Sequence, residues 1–195
     1  MSVEPLPSWA IPPPGGFTAE DLLRLPGLPP HTELIDGSLV FVSPQTRWHS
    51  RLIGRLWAEL DRQAPEHLRA EREMTVKLGP RQAPEPDVIV VYAEAFDQEN
   101  PATYYVAEDV LLAVEAVSPE SEERDRDTKP RKYAQAGIRH YWRFERAEGR
   151  TVAYLYELDP ASRCYGLTGI HHEQLKTSVP FPFAMDLTSV NARLG

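Results

Sequence analysis

Pro84-Glu-Pro-Asp-Val-Ile-Val-Val-Tyr92 and Val110-Leu-Leu-Ala-Val-Glu-Ala-Val-Ser-Pro119 are the two runs that decide how this chain reads. Each is an apolar stretch of strand length, and continuous apolarity marks central strands of a sheet, buried on both faces. Each also carries a carboxylate against its apolar part, where a strand favours an apolar or β-branched residue: Asp87 at the entry of the first, Glu115 in the middle of the second. An unpaired buried charge is very costly, so these acids imply a compensating cation. A divalent metal is one such cation, and a lysine, Lys129 or Lys132, is another. The strand period places Asp87, Ile89 and Val91 on one face, and Leu111, Ala113, Glu115 and Val117 on one face. If the strands are neighbours, Asp87 and Glu115 converge. Two convergent carboxylates meet the minimum for Mg²⁺, which takes oxygen ligands and completes its shell with water and substrate phosphate. This is the outline of a metal-dependent phosphodiesterase site.

Outward from these strands, Glu122–Ala136 reads as a helix, acidic in front and basic behind, with Gly137 as its C-cap. Asp125, Lys129 and Tyr133 line one stripe of it at i, i+4 and i+8, with Lys132 alongside. A lysine on that stripe would face the carboxylates and stabilise charge on the scissile phosphate. Pro130 raises a difficulty, because a residue before proline is biased away from helical geometry. If Asp127 or Thr128 caps the helix, Pro130 falls in its first turn, where a missing N–H costs little; if not, Lys132 is the better candidate.

Upstream, residues 1–16 are rich in proline and read as an extended or disordered leader, leaving 17–195 as one domain. Thr18 with Asp21 forms a capping box for a two-turn helix. Thr32–Ser43 is a hairpin around Asp36-Gly37. Trp48, Leu52, Ile53, Leu56, Trp57 and Leu60 repeat at helical spacing within Thr46–Arg62. Glu71–Leu78 reads as one strand, with Met74, Val76 and Leu78 on one face. Downstream, His140–Phe144 and Thr151–Leu158 form a second hairpin, a further strand lies near Cys164–Ile170, and the tail from Val179 to Leu187 reads as an irregular cover. Cys164 reads as a packed thiol, and His49 as a helix-start cap or surface residue in preference to a catalytic base. The fold class is mixed α/β, with a central sheet flanked by helices.

Composition bounds the function. A hydrophobic content of 42% with no apolar run of membrane-spanning length argues against a membrane span and makes cytoplasm the default. One cysteine excludes an internal disulfide, and no Cys/His zinc spacing occurs. A net charge of −8 excludes a protein that coats nucleic acid through its phosphates. It does not exclude a nuclease, whose metal ions bridge carboxylates to phosphate.

Several segments occur together in order: Glu33-Leu-Ile-Asp-Gly-Ser-Leu-Val40, Ser43-Pro44 followed by His49, Pro86-Asp87-Val-Ile-Val-Val91, Val114-Glu115-Ala-Val-Ser-Pro119, Asp125 through Lys129 to Tyr133-Ala134, and Gly137-Ile-Arg-His-Tyr-Trp142. The series resembles the Uma-type restriction endonuclease family of the PD-(D/E)XK nuclease superfamily over roughly residues 17–190. The resemblance implies a restriction-endonuclease-like core and Mg²⁺-dependent hydrolysis of phosphodiester bonds, with Mn²⁺ as a substitute and DNA as the substrate. Asp87 matches the first acid of the superfamily motif and Glu115 the second, and the main-chain carbonyl of Ala116 would be a further metal ligand. Val117 stands where the superfamily pattern has lysine, so Lys129 on the next helix is the match. Glu33 matches an additional acid from the N-terminal elements. Cleavage of both strands needs two sites, which a homodimer would supply. The rival readings are a catalytically retired member acting as a binding module, and a hydrolase of small phosphoesters.

Overall fold

The computed structural model describes residues 7–42 and 44–191. In chain order the elements are α1 (Ala19–Arg24), β1 (Glu33–Ile35), β2 (Ser38–Val40), α2 (Arg47–Gln63), β3 (Leu68–Arg72), β4 (Thr75–Lys77), β5 (Val88–Tyr92), α3 (Ala93–Phe96), β6 (Tyr104–Val106), β7 (Val110–Ala116), α4 (Lys129–Ala136), β8 (His140–Ala147), β9 (Arg150–Asp159), β10 (Cys164–His171), β11 (Gln174–Thr177) and β12 (Phe183–Asp186). Six of the strands build one mixed sheet in the order β10-β9-β8-β7-β5-β3. Its β7–β8 pair is parallel and the other pairs are antiparallel. The two runs that opened the sequence reading are its central strands β5 and β7, with Val88 opposite Val114.

The sheet separates two cores by strand parity. On one face Val88, Val90, Leu112, Val114, Trp142 and Phe144 pack under the apolar stripe of α2. On the other, Ile89, Val91, Ala113 and Tyr141 pack with Tyr133 of α4 and with Ile138. Glu115 has the parity of Ala113, so its side chain emerges on the α4 side. The helix α2 starts where expected, with the Thr46 side chain accepting from the His49 N–H. The hairpin β1–β2 turns on Asp36 and Gly37, both at positive φ (50° and 79°), as a tight hairpin demands.

Five features differ from the sequence reading. Glu71–Leu78 is two strands, not one. Glu73 takes a left-handed φ of 54°, its N–H donates to the Asp87 carbonyl, and the chain leaves the main sheet so that β4 pairs in parallel with β6. The turn lets Val76 be fully buried in the α4-side core. The tail is not irregular: β12 pairs with β11, burying Phe183 and Met185 against Trp142 and α2. Cys164 is exposed, because β10 is an outer strand with a sheet neighbour on one side only. Residues 7–16 are not a free leader: the Trp9 indole donates to the Gly27 carbonyl and its ring meets Phe41 edge-on at 5.3 Å; the first six residues of the expected leader, and Ser43 at the end of the expected hairpin, lie outside the described residues.

The fifth difference concerns Pro130. Neither Asp127 nor Thr128 caps a helix there, since Thr128 has helical dihedrals and the helix is already running. Arg124–Thr128 is instead a π-helical turn, in which the Lys129 N–H reaches back to the Arg124 carbonyl. A proline inside a regular α-helix clashes with the carbonyl four residues earlier and breaks a hydrogen bond. The wider turn accommodates Pro130 and keeps Lys129 helical, with φ −62° and ψ −47°. Gly137 then ends the helix at φ 89°, its N–H donating to the Ala134 carbonyl, as expected of a left-handed C-cap.

Candidate active site

Lys129 is the centre of the polar cluster on the α4 side of the sheet. Only 5% exposed, its Nζ lies 2.8 Å from Glu33 Oε1, 3.1 Å from both oxygens of Glu115 and 3.5 Å from Asp125 Oδ1. The three acids are themselves 1–2% exposed. Glu33 arrives from the hairpin strand β1, Glu115 from the central strand β7, and Asp125 and Lys129 from the helix. Burial works against the ammonium, but Glu115, Glu33 and Asp125 more than reverse that, and Lys129 is held well above the ordinary lysine range. Burial pushes the Glu115 and Asp125 carboxyls up, opposed by Lys129 and reinforced by Asp87 and Glu33. One cation among so many buried carboxylates leaves the cluster short of positive charge.

Two tyrosines fix the geometry. The Tyr133 hydroxyl donates to Glu115 Oε1 at 2.6 Å, and the Tyr141 hydroxyl donates to the Asp125 carbonyl at 2.5 Å. The expected stripe of Asp125, Lys129 and Tyr133 is present, and all three residues are buried. Lys132 points elsewhere and pairs with Asp36 in the hairpin turn at 2.5 Å, while Lys77 pairs with Glu20.

Asp87 stands one residue before β5. Its Oδ2 accepts from the Ala116 N–H at 2.6 Å, which fastens it to the end of β7 beside Glu115. Its Oδ1 lies 2.9 Å from Nε2 of His49, whose side chain is 10% exposed. Burial opposes protonation of that imidazole, yet Asp87, with Asp125 and Glu73 farther away, raises its pKa above the ordinary histidine value. His49 is therefore neither a surface residue nor only part of a helix start. Its main-chain N–H does bond the Thr46 cap, while its ring reaches from α2 to the candidate site.

A cavity of about 90 Å³ collects these groups, with Glu33, Asp87, Glu115, Ala116 and Lys129 all in its walls. His49, Glu85, Arg124 and Asp125 line it too, and it opens toward a larger groove bounded by Pro30, Val42 and Glu73. Three buried atoms in the walls make no hydrogen bond: Arg124 Nε, Asp125 Oδ1, which has Lys129 Nζ 3.5 Å away, and His49 Nε2, whose contact with Asp87 is an ion pair. Sequence reasoning did not find Glu85 or Arg124: Glu85 stands between two prolines ahead of the strand, and Arg124 in a charged run, with no periodicity to mark either. His49 carried a signal only as a member of the ordered motif series. Among the described residues no three His, Cys, Asp or Glu side chains stand together as a ready-made metal cage.

The sequence model of the Uma2 family, described as "Putative restriction endonuclease", matches residues 19–188. The chain belongs to the Uma2 family. The match spans every element from α1 to β12, so Uma2 membership covers both the sheet and the polar cluster. A solved structure described as a putative nuclease belonging to DUF820, from Anabaena variabilis, has the same fold. It superposes with a TM-score of 0.65 at 17% identity, over 89% of this chain and 97% of its own. A search of curated proteins finds no match.

Proposed function

We propose that this Uma2 protein is a metal-dependent endonuclease that hydrolyses phosphodiester bonds of DNA. The observation that supports it best is the convergence of Asp87 and Glu115 at adjacent strand ends beside a buried lysine. The donor set fits Mg²⁺ or Mn²⁺. It is all hard oxygen, two carboxylates and a main-chain carbonyl in one cavity wall, and Mg²⁺ sites commonly use one or two carboxylates with water completing the shell. Asp87, Glu115 and the carbonyl of Ala116 would hold the ion, which when bound supplies a Lewis acid and lowers the pKa of water.

The chain's own groups have distinct tasks in this reading. The Ala116 N–H and His49 hold the Asp87 carboxylate from two sides, and Tyr133 holds Glu115. Glu33 and Asp125 keep Lys129 charged and in place, so its ammonium is available to stabilise charge developing on the phosphate. Arg124, with its free Nε in the cavity wall, is suited to a second phosphate oxygen. Calorimetric titration with Mn²⁺ tests the reading. Wild type should bind in the millimolar range or tighter and Glu115→Gln should not; equal binding by both would refute the assignment of Glu115.

One observation favours a second reading. Lys129 already neutralises part of the acid cluster, as in a retired site that keeps the fold for binding. Such a protein would bind neither Mg²⁺ nor Mn²⁺ in the same titration.

A further inference from the structure

A second cavity lies behind the helix, away from the carboxylates. It measures about 430 Å³ and sits between α4, the sheet strands β8 and β9, and the start of β10. That volume is within the ordinary range of small-molecule sites, roughly 300–1,000 Å³. Its charge contrasts with the rest of the molecule. Arg126, Arg131, Arg143 and Arg163 line it against one acid, Asp127, in a chain whose net charge is −8.

The walls combine guanidinium groups with flat rings. Arg143 lies over the rings of Tyr154 and Tyr156 at 4.8 and 5.5 Å, and Glu145 holds it at 2.8 Å. The same Glu145 takes two hydrogen bonds from Arg126, at 2.9 and 2.6 Å. These two arginines are thus committed to Glu145. Arg131 and Arg163 are not. Arg131 is exposed and pairs with Asp127 along the helix surface, a type of contact that contributes little. Arg163 donates to the Gln135 carbonyl and has no ion-pair partner among the described residues. Tyr165 stacks on Tyr141 at 5.6 Å with its hydroxyl anchored to the Ile138 carbonyl, and Tyr156 meets the same Tyr141 ring at 5.7 Å, so the three rings form one aromatic wall.

We propose that this cavity binds a nucleotide unit, with the base against Tyr156, Tyr165 and Arg143, and the phosphate at Arg131 and Arg163. Stacking on aromatic rings is tolerant of base identity, and arginine matches phosphate geometry with paired N–H donors. The nucleotide is either free or part of a single strand. The site does not rest on the nuclease reading and needs no metal. The Tyr141 hydroxyl, which bonds the Asp125 carbonyl, ties the cavity's floor to the Lys129 cluster on the other side of the helix.

The sole cysteine, Cys164, lies exposed in the cavity wall and reports occupancy. The rate of its alkylation by iodoacetamide, followed on the full chain in EDTA, should fall with added dAMP to a saturating limit. Arg163→Gln and Arg131→Gln, both at exposed positions, should each weaken protection about tenfold, the effect of one charge-assisted contact. Adenosine, lacking phosphate, and pyrophosphate, lacking a ring, should each protect far less. Oligo(dT) protecting at much lower concentration than dAMP identifies a strand as the ligand; equal concentrations identify the free nucleotide. The proposal is overturned if neither protects, if pyrophosphate protects as well as dAMP, or if protection survives both arginine substitutions.

Discussion

Lys129 carries the energetics of the candidate site. Its side chain is surrounded by Glu33, Glu115 and Asp125, all nearly inaccessible. Removing one partner of a buried ion pair costs about 3–5 kcal/mol because the other charges stay buried. Lys129→Met should therefore lower stability in urea by about that amount, and nicking activity should be lost with it. Asp125 gives a pH test. Its folded pKa is raised, chiefly by burial, so the folded state holds the proton more tightly than the unfolded chain does. Its ionisation costs nothing below the unfolded value, and the cost grows as pH rises through the window up to the folded value. In metal-free protein, thermal melts of Asp125→Asn should show a gain over wild type that is larger at pH 8 than at pH 4. A gain independent of pH would show that the carboxylate is not under this strain. Asp87, Glu115 and Lys129 were legible at this scale because acids in apolar runs and a scarce lysine stand out. His49 was not, because its partner Asp87 comes from a different element and a histidine near a helix start reads as a cap.

Among the elements, the β1–β2 hairpin does most to place Glu33. Gly37, at φ 79°, is covered by the guanidinium of Arg81, which also bonds the Asp36 carbonyl. Alanine at this position meets both backbone strain and Arg81. Gly37→Ala should cost more than about 1 kcal/mol in urea denaturation. It should also weaken Mn²⁺ binding, since Glu33 and Lys129 shift with the hairpin. Helix α2, the two central strands and both hairpins around β1 and β8 could be read from periodicity and turn residues. The π turn could not, because a proline after Lys129 fits either a capped start or a widened helix and the distinction is tertiary. β4 was misread for a related reason. A strand that leaves one sheet for another at Glu73 keeps its apolar alternation, and periodicity does not report which partner it has.

For the whole molecule, charge is the governing quantity. With −8 overall and an acidic groove, the chain has little to offer a duplex through phosphate neutralisation. Anisotropy with a fluorescent duplex should show weak binding in EDTA and much tighter binding in Ca²⁺, which can bridge acids to phosphate without supporting cleavage. Equal binding in both would mean that arginines, not a bound cation, grip the DNA. Among the described residues no helix is long and apolar enough to cross a membrane. The overall class was legible because the α/β pattern, the acids and the ordered motif series agree. The second cavity was not, since its arginines and tyrosines come from α4, β8, β9 and β10, which only the fold assembles.

The most direct test of the central claim is plasmid nicking with Mg²⁺ and with Mn²⁺, wild type beside Glu115→Ala, each repeated in EDTA. The account predicts relaxed circles from wild type with metal, and supercoiled DNA untouched in EDTA and in every Glu115→Ala lane. Nicking by Glu115→Ala at the wild-type rate would contradict it.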